Sequence, residues 1–254
     1  MVNSVEKAAR ILRHLSQVGS TTVASVATQL ELPRSTTYKI LVTLEAEGLV
    51  ERDAAGQTFH LGYRLIELGH RAQEEIDLFR LAHPFLVALN KQTDETVHLT
   101  VLDGIEVLYV DCVESTRRLR TYSVIGVRAP LYCTAVGKAI LADGAAGLLD
   151  AVVRAGLQPV TKSTITERPS LEAELERTRR RGYSIDNREN DPDIRCVGAA
   201  IREADRPAAA AISVSGPAER VTTKRIPALA KLVVEAAAGI SARGGALLER
   251  GSRG

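Results

Sequence analysis

The sequence predicts an α+β protein with a small, mainly helical N-terminal domain, a linker helix and a larger domain built on a mainly antiparallel sheet. Three observations support this prediction. Residues 20–61 follow the order helix, tight turn, helix, hairpin, which is the pattern of a winged helix-turn-helix. Residues 63–79 keep a helical period, and from Thr96 apolar and polar residues alternate as strands require. Because the later strands are grouped apart from the helices, an antiparallel sheet is expected.

The segment that ends at Gly19 is predicted to be the first helix. Asn3 and Ser4 are candidate caps, and Glu6 follows Asn3 by three residues, as in a capping box. Its apolar positions repeat at helical spacing and are expected to pack beneath the helix-turn-helix: Val5, Ala8, Ile11, Leu12 and Leu15.

The helix-turn-helix is predicted from its caps and breakers. The first helix spans Thr22–Leu30 and has a threonine as its cap. A two-residue turn follows, Pro33 takes the first position of the second helix, and Gly48 ends that helix. Leu49–Leu61 then forms two strands around the turn at 53–56, the candidate wing.

The second helix has side chains suited to DNA. Free N–H groups and partial positive charge at a helix N-terminus attract phosphate. Arg34 is expected to read a base edge or a phosphate and Lys39 a phosphate, while the hydroxyl side chains fix the register. The candidate DNA-contacting residues are Arg34, Ser35, Thr36, Tyr38, Lys39 and Arg52.

Two observations keep a purely structural interpretation open. Similar patterns occur in helical proteins that do not bind DNA. Residues 1–64 carry seven Lys or Arg against six acidic residues, so bulk electrostatic attraction to DNA is weak. Affinity would have to come from placed contacts and from two copies of the reader.

The remaining elements follow from periodicity. A linker helix is predicted over Tyr63–Phe79 with a candidate kink at Gly69, and His83-Pro84 is expected to restart the chain into a helix over Phe85–Gln92. The predicted strands are Val97–Val101, Val107–Val110, Leu119–Ile125, Tyr183–Asp186, Val197–Ile201 and Ala208–Ser215. The later predicted helices are Ala135–Leu141, Ala145–Ala155, Leu171–Arg181 and Thr222–Leu248.

Composition and motif searches exclude several classes of function. The chain is 45% hydrophobic and 25% charged, with no apolar run of membrane-spanning length and no signal peptide, so we expect a cytoplasmic protein. The three cysteines show no C-x-x-C spacing and the five histidines no H-x-x-x-H spacing, so the sequence favours neither a disulfide framework nor a metal site. Gly137-Lys138 lacks the other residues of a P-loop, and Ser215 lacks the glycine of a nucleophile elbow. We therefore expect no cofactor and no enzyme activity.

Seven stretches, taken in order, resemble the IclR family of transcriptional regulators from about Ser4 to Ile240. They are residues 4–12 (SVEKAARIL), 32–36 with 44–48 (LPRST and LEAEG), 61–65 (LGYRL), 95–99 (ETVHL), 130–139 (PLYCTAVGKA), 181–186 (RGYSID) and 211–217 (AISVSGP). Two positions depart from the family pattern. Thr37 replaces a commonly aliphatic residue, and the wing tip lacks the basic residue often found there.

The resemblance implies a switch in two parts. Residues 1–62 would form the DNA-binding domain, residues 63–80 the linker helix, and residues 81–250 a GAF-like α/β effector-binding domain. Members of the family are usually dimers or tetramers that bind small organic acids or aromatic compounds. The effector changes DNA affinity only if it prefers one arrangement of the two readers.

A candidate effector pocket lies around residues 127–138 and the strand that carries Ser213 and Ser215. A helix that starts after Thr134 would offer the N–H groups of Ala135 and Val136 to a carboxylate. Ser213 and Ser215 are two residues apart on a strand, so their hydroxyls point to one side. The resemblance places six residues in the pocket, and Arg128 is added as a candidate partner of an acidic effector: Arg128, Ala135, Val136, Asp186, Cys196, Ser213 and Ser215.

Each pocket residue also has an ordinary structural interpretation. Strand serines often face solvent, a lone cysteine is often a small core residue, and Asp186 is equally suited to accept hydrogen bonds in a turn.

The sequence thus predicts a ligand-responsive transcriptional regulator. It would bind double-stranded operator DNA as a homodimer or homotetramer, without a membrane partner. The expected sign is repression, and that sign depends on where the operator lies relative to the promoter. The alternative is a small-molecule enzyme whose N-terminal module serves docking or dimerisation.

Overall fold

The computed structural model describes residues 2–119, 125–202 and 206–243, and the chain divides into two units between Glu75 and Ile76. This division falls within the predicted linker segment 63–80. The N-terminal unit contains α1 (Asn3–Val18), β1 (Thr21–Thr22), α2 (Val23–Gln29), α3 (Arg34–Ala46), β2 (Val50–Arg52), β3 (Thr58–Leu61) and α4 (Arg64–Glu75).

The N-terminal unit has the predicted winged helix-turn-helix. Thr22 caps α2, because its Oγ1 accepts a hydrogen bond of 3.2 Å from the backbone N–H of Ser25. The wing strands pair in the antiparallel order β1-β3-β2. One apolar cluster holds α1, α2, α3 and the wing together: Ile11, Leu15, Val26, Leu32, Leu41, Leu44, Val50 and Phe59.

Two details of the predicted helix starts are wrong. Asn3 and Ser4 do not cap α1, because the helix already begins at Asn3 and backbone N–H groups of its first turn bond to the carbonyl of Val2. Pro33 lies at the N-cap of α3, one position before the expected one, and its carbonyl accepts the N–H of Thr37 at 2.9 Å.

The C-terminal unit places helices on both faces of one sheet. Its helices are α5 (Asp77–Thr93), α6 (Ala135–Asp143), α7 (Leu148–Ala155), α8 (Arg168–Arg181) and α9 (Ile226–Arg243). Its strands are β4 (Thr96–Asp103), β5 (Glu106–Val113), β6 (Arg128–Pro130), β7 (Ser184–Asn187), β8 (Ile194–Ile201) and β9 (Ala210–Pro217). Among the described residues the strands form an antiparallel sheet in the order β6-β5-β4-β9-β8-β7.

Two apolar clusters cover the two faces of this sheet. On one face Val97, Leu99 and Ile212 pack against α5 and α9. On the other face Ala211 packs with α6 and α8, and every residue from Ala135 to Ala142 of α6 is buried. The α+β class and the mainly antiparallel sheet are therefore confirmed.

The linker region differs from the prediction. The predicted single helix Tyr63–Phe79 is wrong, because α4 ends at Glu75 and Ile76 has an extended backbone before α5 begins. Pro84 lies inside α5 and does not restart the chain. The buried face of α5, which includes Leu78 and Leu86, packs into the core and outweighs the one backbone hydrogen bond that proline removes.

The other differences concern shorter pieces. The strand β6 was not predicted, since its three residues include a proline and show no alternation. The predicted strand Leu119–Ile125 lies largely outside the described residues, as does the end of the last helix beyond Arg243. That helix begins at Ile226, four residues after its expected start at Thr222.

Candidate functional site

The N-terminal end of α3 presents most of the predicted DNA-contacting residues at the surface. Arg34, Ser35, Tyr38 and Lys39 are exposed, and Thr36 is half-buried. Leu41 and Leu44, farther along the same helix, pack into the core of the unit. The sequence spacing therefore separates a polar outer face from an anchored inner face.

The surroundings of Thr37 explain how a threonine fits where the family commonly has an aliphatic residue. Its side chain is fully buried, and its Oγ1 donates a hydrogen bond of 3.2 Å to the carbonyl of Pro33. The hydroxyl is thus satisfied inside the unit and closes the first turn of α3. Thr37 belongs to the support of this helix and not to its exposed face.

A side-chain contact from α1 fixes the turn between α2 and α3. Arg10 Nη2 donates a hydrogen bond of 2.8 Å to the carbonyl of Leu30 at the C-terminal end of α2. Glu31, the next residue, has a φ of 54°, in the left-handed region. The guanidinium therefore stabilises the sharp turn that orients α3 relative to α2.

Arg52, the sixth predicted DNA-contacting residue, is engaged within the unit. Its Nη2 and Nε lie 2.8 and 3.1 Å from Oε2 of Glu45, and its guanidinium carbon lies 4.7 Å from the ring centroid of Phe59. The hydrogen bond to Glu45 raises the pKa of Arg52 further. Contact with DNA would require this arginine to share or leave its bond to Glu45.

The wing turn is held by Asp53. Its Oδ1 accepts backbone N–H bonds from Gln57 at 2.7 Å and Thr58 at 3.0 Å. The bond from Thr58 is the main cause that lowers the pKa of the Asp53 carboxyl. The tip at 54–57 is exposed and carries no charged side chain, so the tip can meet DNA only through polar and backbone groups.

In the C-terminal unit, strand register brings the predicted effector residues together. Asp186 of β7 pairs with Cys196 of β8, which pairs with Ser215 of β9. Cross-strand partners share a face, and residues two apart on one strand also share it, so Ser213 joins them. They lie on the α6 side, opposite Ile212 and its apolar neighbours.

These residues line a cavity of about 310 Å³ between the sheet and the start of α6. All seven predicted effector residues are among its lining residues, which also include His98, Tyr109, Thr134, Asn190 and Asp191. The structure therefore brings the seven predicted residues into one place, although the first and last of them, Arg128 and Ser215, are 87 positions apart in the chain.

The start of α6 lines part of the cavity. Thr134 caps the helix, accepting a 3.1 Å hydrogen bond from the N–H of Gly137 and donating one of 2.9 Å to the carbonyl of Pro130. The backbone N–H groups of Ala135 and Val136 lie in the first turn of α6, before Lys138, whose N–H bonds to the carbonyl of Thr134. N–H groups in a first turn have no carbonyl acceptor within their own helix. They can therefore bind an anion.

The sheet wall of the cavity is polar but mostly uncharged. His98 is buried, and this burial lowers its pKa to about 4, so the ring is neutral near pH 7. Its ring meets the edge of Tyr109 at a centroid distance of 5.2 Å. Burial also raises the pKa of the Cys196 thiol well above its usual value, which excludes a reactive thiolate.

Asp186 is a buried carboxyl group in the cavity lining. Its Oδ1 accepts backbone N–H bonds from Glu189 at 2.7 Å and Asn190 at 3.4 Å. Burial raises the pKa of Asp186 to about 7, with the nearby Glu189 carboxylate acting in the same direction. Asp186 is thus suited both to accept a hydrogen bond and, when protonated, to donate one.

Arg128 lines the cavity but already has a partner. Its guanidinium binds the carboxylate of Asp103, with Nε 2.7 Å from Oδ2, and about half of each side chain is exposed. The expected pairing of Arg128 with an acidic effector would require an exchange of partners.

Sequence reasoning missed His98, Tyr109 and the loop residues Asn190 and Asp191. His98 lies in one of the stretches that carry the family resemblance, but its position depends on pairing with Ser213, 115 residues later. The pattern of neighbouring residues does not reveal this pairing register between β4 and β9. Within the described parts of the chain, no group of three or more acidic, cysteine or histidine side chains is arranged to hold a metal ion.

An exposed helix of a helix-turn-helix beside a hairpin, together with a domain that contains a polar cavity, is typical of ligand-responsive transcriptional regulators. Residues 4–54 match the IclR helix-turn-helix domain, and residues 70–242 match the bacterial transcriptional regulator IclR C-terminal domain. The chain belongs to the IclR family of bacterial transcriptional regulators, so the resemblance seen in the sequence is confirmed.

Individual relatives span nearly the whole chain. The HTH-type transcriptional repressor AllR of Klebsiella pneumoniae is 33% identical over 240 residues, which cover 94% of this chain and 88% of AllR. The crystal structure of Thermotoga maritima IclR is 36% identical with a TM-score of 0.76, covering 96% of this chain and 100% of that one. These proteins are transcriptional regulators, so the expectation of no enzyme activity is confirmed and the enzyme alternative gains no support.

A third relative has been solved with a ligand. The IclR homolog of Microbacterium hydrocarbonoxydans, complexed with 4-hydroxybenzoate, shares the fold at a TM-score of 0.83 and 23% identity. The match covers 94% of this chain and 98% of that one.

In the part of the chain that the structure describes, no helix is long and apolar enough to cross a membrane.

Proposed function

We propose that this protein binds double-stranded operator DNA and that a small organic or aromatic acid in the C-terminal cavity changes its affinity for that DNA. The observation that carries the proposal is the convergence of α6, Asp186, Ser213 and Ser215 on one cavity. Its volume, about 310 Å³, is at the lower end of ligand pockets, which favours a small molecule.

Two kinds of polar group in the cavity lining define the class of ligand. The N–H groups of Ala135 and Val136, at the start of α6, suit a carboxylate. Asp186 and the two serine hydroxyls suit a ligand hydroxyl or a similar polar group. 4-Hydroxybenzoate, the ligand of the Microbacterium relative, carries both groups and is a suitable first probe.

DNA binding is assigned to α3 and the wing. The exposed Arg34 would contact a base edge or a phosphate, Lys39 a phosphate, and Ser35, Thr36 and Tyr38 would fix the register. Arg52 would contribute from the wing strand after sharing its bond to Glu45. Because the unit has no strong excess of positive charge, two linked readers are needed for useful affinity.

Helix α4 supports a homodimer or homotetramer. Among its described side chains none is buried, and Ile66 and Leu68 are 69% and 51% exposed, as is 77% of the adjacent Tyr63. An amphipathic helix with an uncovered apolar face is stable when a second copy covers it. A two-fold dimer would place two α3 helices on successive half-sites of an operator.

The expected sign is repression, as the name of the AllR relative states for that protein. Operator binding places the protein with the chromosome, in the cytoplasm. A ligand that prefers one arrangement of the readers would then release or strengthen operator binding.

The test is fluorescence anisotropy of the full-length protein with labelled DNA from upstream of its own gene. The probes are 4-hydroxybenzoate, benzoate, lactate and acetate, with unrelated DNA as the control. Specific binding that at least one acid changes supports the proposal. Equal affinity for specific and unrelated DNA, with and without every acid, would overturn it.

A further inference from the structure

Behind the cavity lies a buried ion pair that does not touch it. Lys138 of α6 is completely buried, and its Nζ lies 2.5 Å from Oε1 of Glu189, whose side chain is 7% exposed. Neither residue is among those that line the cavity. Removing two charges from water costs more free energy than such a pair usually returns, so the pair is a poor source of stability.

The position of Glu189 links this pair to the cavity wall. Glu189 lies in the loop between β7 and β8, where its N–H donates to Oδ1 of Asp186 and its Oε1 accepts the N–H of Asn187 at 3.2 Å. The same loop brings Asn190 and Asp191 to the cavity. One residue thus connects Lys138, Asp186 and the loop.

A second set of contacts holds the same loop from outside. Thr164 Oγ1 donates a 2.6 Å hydrogen bond to the carbonyl of Glu189, and Thr161 Oγ1 donates one of the same length to the carbonyl of Arg188. These bonds hold the backbone of the loop, whereas the ion pair with Lys138 is the side-chain link to the cavity helix α6. Glu189 Oε2 is buried without a hydrogen-bond partner among the described residues. Burying this oxygen therefore reduces the free energy of unfolding.

We propose, resting on the function proposed above, that Lys138 and Glu189 are positioning residues for effector binding. Through the loop between β7 and β8 they hold Asp186, Asn190 and Asp191 in the arrangement that receives the ligand. If the two residues served only stability, a well-packed apolar pair could replace them without effect on the loop. If they position the loop, the same replacement would disturb it.

The two charges of the pair also affect the pKa of Asp186. The Glu189 carboxylate raises the pKa of Asp186 and the Lys138 ammonium lowers it, alongside the larger effect of burial. The other titratable groups that line the cavity or lie beside it stay the same in all variants considered below: Cys133 of the loop before α6, His98, Tyr109, Arg128, Asp191, Arg195 and Cys196. Removing the Glu189 charge should therefore lower the pKa of Asp186.

The test uses the full-length protein with three changes: Glu189→Gln, Lys138→Met, and the double variant Lys138→Met/Glu189→Leu. Hydrogen exchange of the loop 187–193 is measured by mass spectrometry without ligand. We expect exchange at least about tenfold faster than in the wild type in all three, with α9 unchanged. Glu172→Gln is the matched control, because it removes the carboxylate of an exposed ion pair with Arg168 in the same unit.

The double variant separates positioning from stability. It removes both charges of the pair, so neither is left buried without the other, and its urea midpoint should approach that of the wild type while its loop still exchanges fast. Wild-type exchange of the loop in both the double variant and Glu189→Gln would overturn the proposal. If Lys138→Met alone does not fold, these two variants still decide the question.

Ligand binding adds a readout with 4-hydroxybenzoate as the probe. We expect about tenfold or greater loss of calorimetric affinity in the double variant, and a lower midpoint of the pH profile of binding in Glu189→Gln. Fast loop exchange without any binding to the wild type would contradict the proposed ligand class alone. Wild-type affinity and pH profile in every variant would contradict the positioning role alone.

Discussion

The Sγ atom of Cys196 lies 3.0 Å from the Oγ atom of Ser215, its partner across β8 and β9. Because the pKa of this thiol is raised by burial, the pair is a neutral polar surface and not a nucleophile. With Ser213 two residues earlier, it forms the sheet wall of the cavity. The wall is therefore suited to hydrogen bonding with a ligand.

Replacing Ser213 or Ser215 with alanine should weaken binding of the organic acid. Each hydroxyl is expected to contribute about 0.5–1.5 kcal/mol, since a neutral hydrogen bond made on binding replaces one to water. Calorimetry with 4-hydroxybenzoate measures the change, and Ser170→Ala, at an exposed position, is the control. Unchanged affinity in both cavity variants would exclude the sheet wall from the binding site.

His98→Gln should reduce the loss of stability in mild acid. Burial lowers the pKa of His98 to about 4, from an ordinary value of 6.5. Between these values the unfolded chain binds a proton that the folded chain does not, so the free energy of unfolding falls as pH falls. This group alone accounts for up to about 3 kcal/mol.

Urea unfolding at several values between pH 4 and pH 7 checks the His98 prediction. The slope of the unfolding free energy against pH should be smaller in His98→Gln than in the wild type. Identical slopes would mean that the ring does not stay neutral in the folded protein.

Gly62→Ala should destabilise the N-terminal unit by about 1–3 kcal/mol. A Cβ at this position would overlap the carbonyl oxygen of Gly48, where the wing passes close to the end of α3. Gly69→Ala is the matched control, because it lies on exposed α4 with no atom within 4 Å of an added Cβ. We expect that control to gain about 0.5–1 kcal/mol from helix propensity.

Thermal unfolding followed by circular dichroism distinguishes the two glycine variants. Opposite shifts of the midpoint are expected, downward for Gly62→Ala and upward for Gly69→Ala. A wild-type or higher midpoint in Gly62→Ala would contradict the close approach of this position to the Gly48 carbonyl.

Arg34→Ala should cost about 1–3 kcal/mol of operator binding if the guanidinium reads a base, with a loss of preference at one base pair. Lys39→Ala should weaken binding to all sequences alike and lower the salt slope by about one. Anisotropy at several salt concentrations measures both effects. Arg13→Ala, exposed on α1, is the control, and a wild-type affinity in Arg34→Ala would remove that residue from the interface.

The parts that sequence reasoning predicts well are those fixed by neighbouring residues. The Thr22 cap, the exposed start of α3 and the wing turn at Asp53 each depend on contacts within a few positions. The same holds for the start of α6, because Thr134 caps it through a bond to Gly137. Local hydrogen bonds and hydrophobic period are sufficient in these cases.

The parts that could not be predicted depend on distant packing. Pro84 remains inside α5 because its helix is buried on the sheet, and Arg52 binds Glu45 because two elements meet in the folded unit. His98 and Tyr109 reach the cavity only through the pairing of β4 with β5 and β9. Only the family resemblance brought Asp186 and Cys196 into the predicted pocket.

The most direct measurement is the dissociation constant for operator DNA as 4-hydroxybenzoate or another binding acid is added. It is made on the wild type and on the Ser213→Ala/Ser215→Ala double variant. We expect a change of about 5- to 150-fold in the wild type and a much smaller one in the variant at the same ligand concentration. An equal change in both proteins, or none in the wild type under saturating ligand, would contradict control of DNA binding through this cavity.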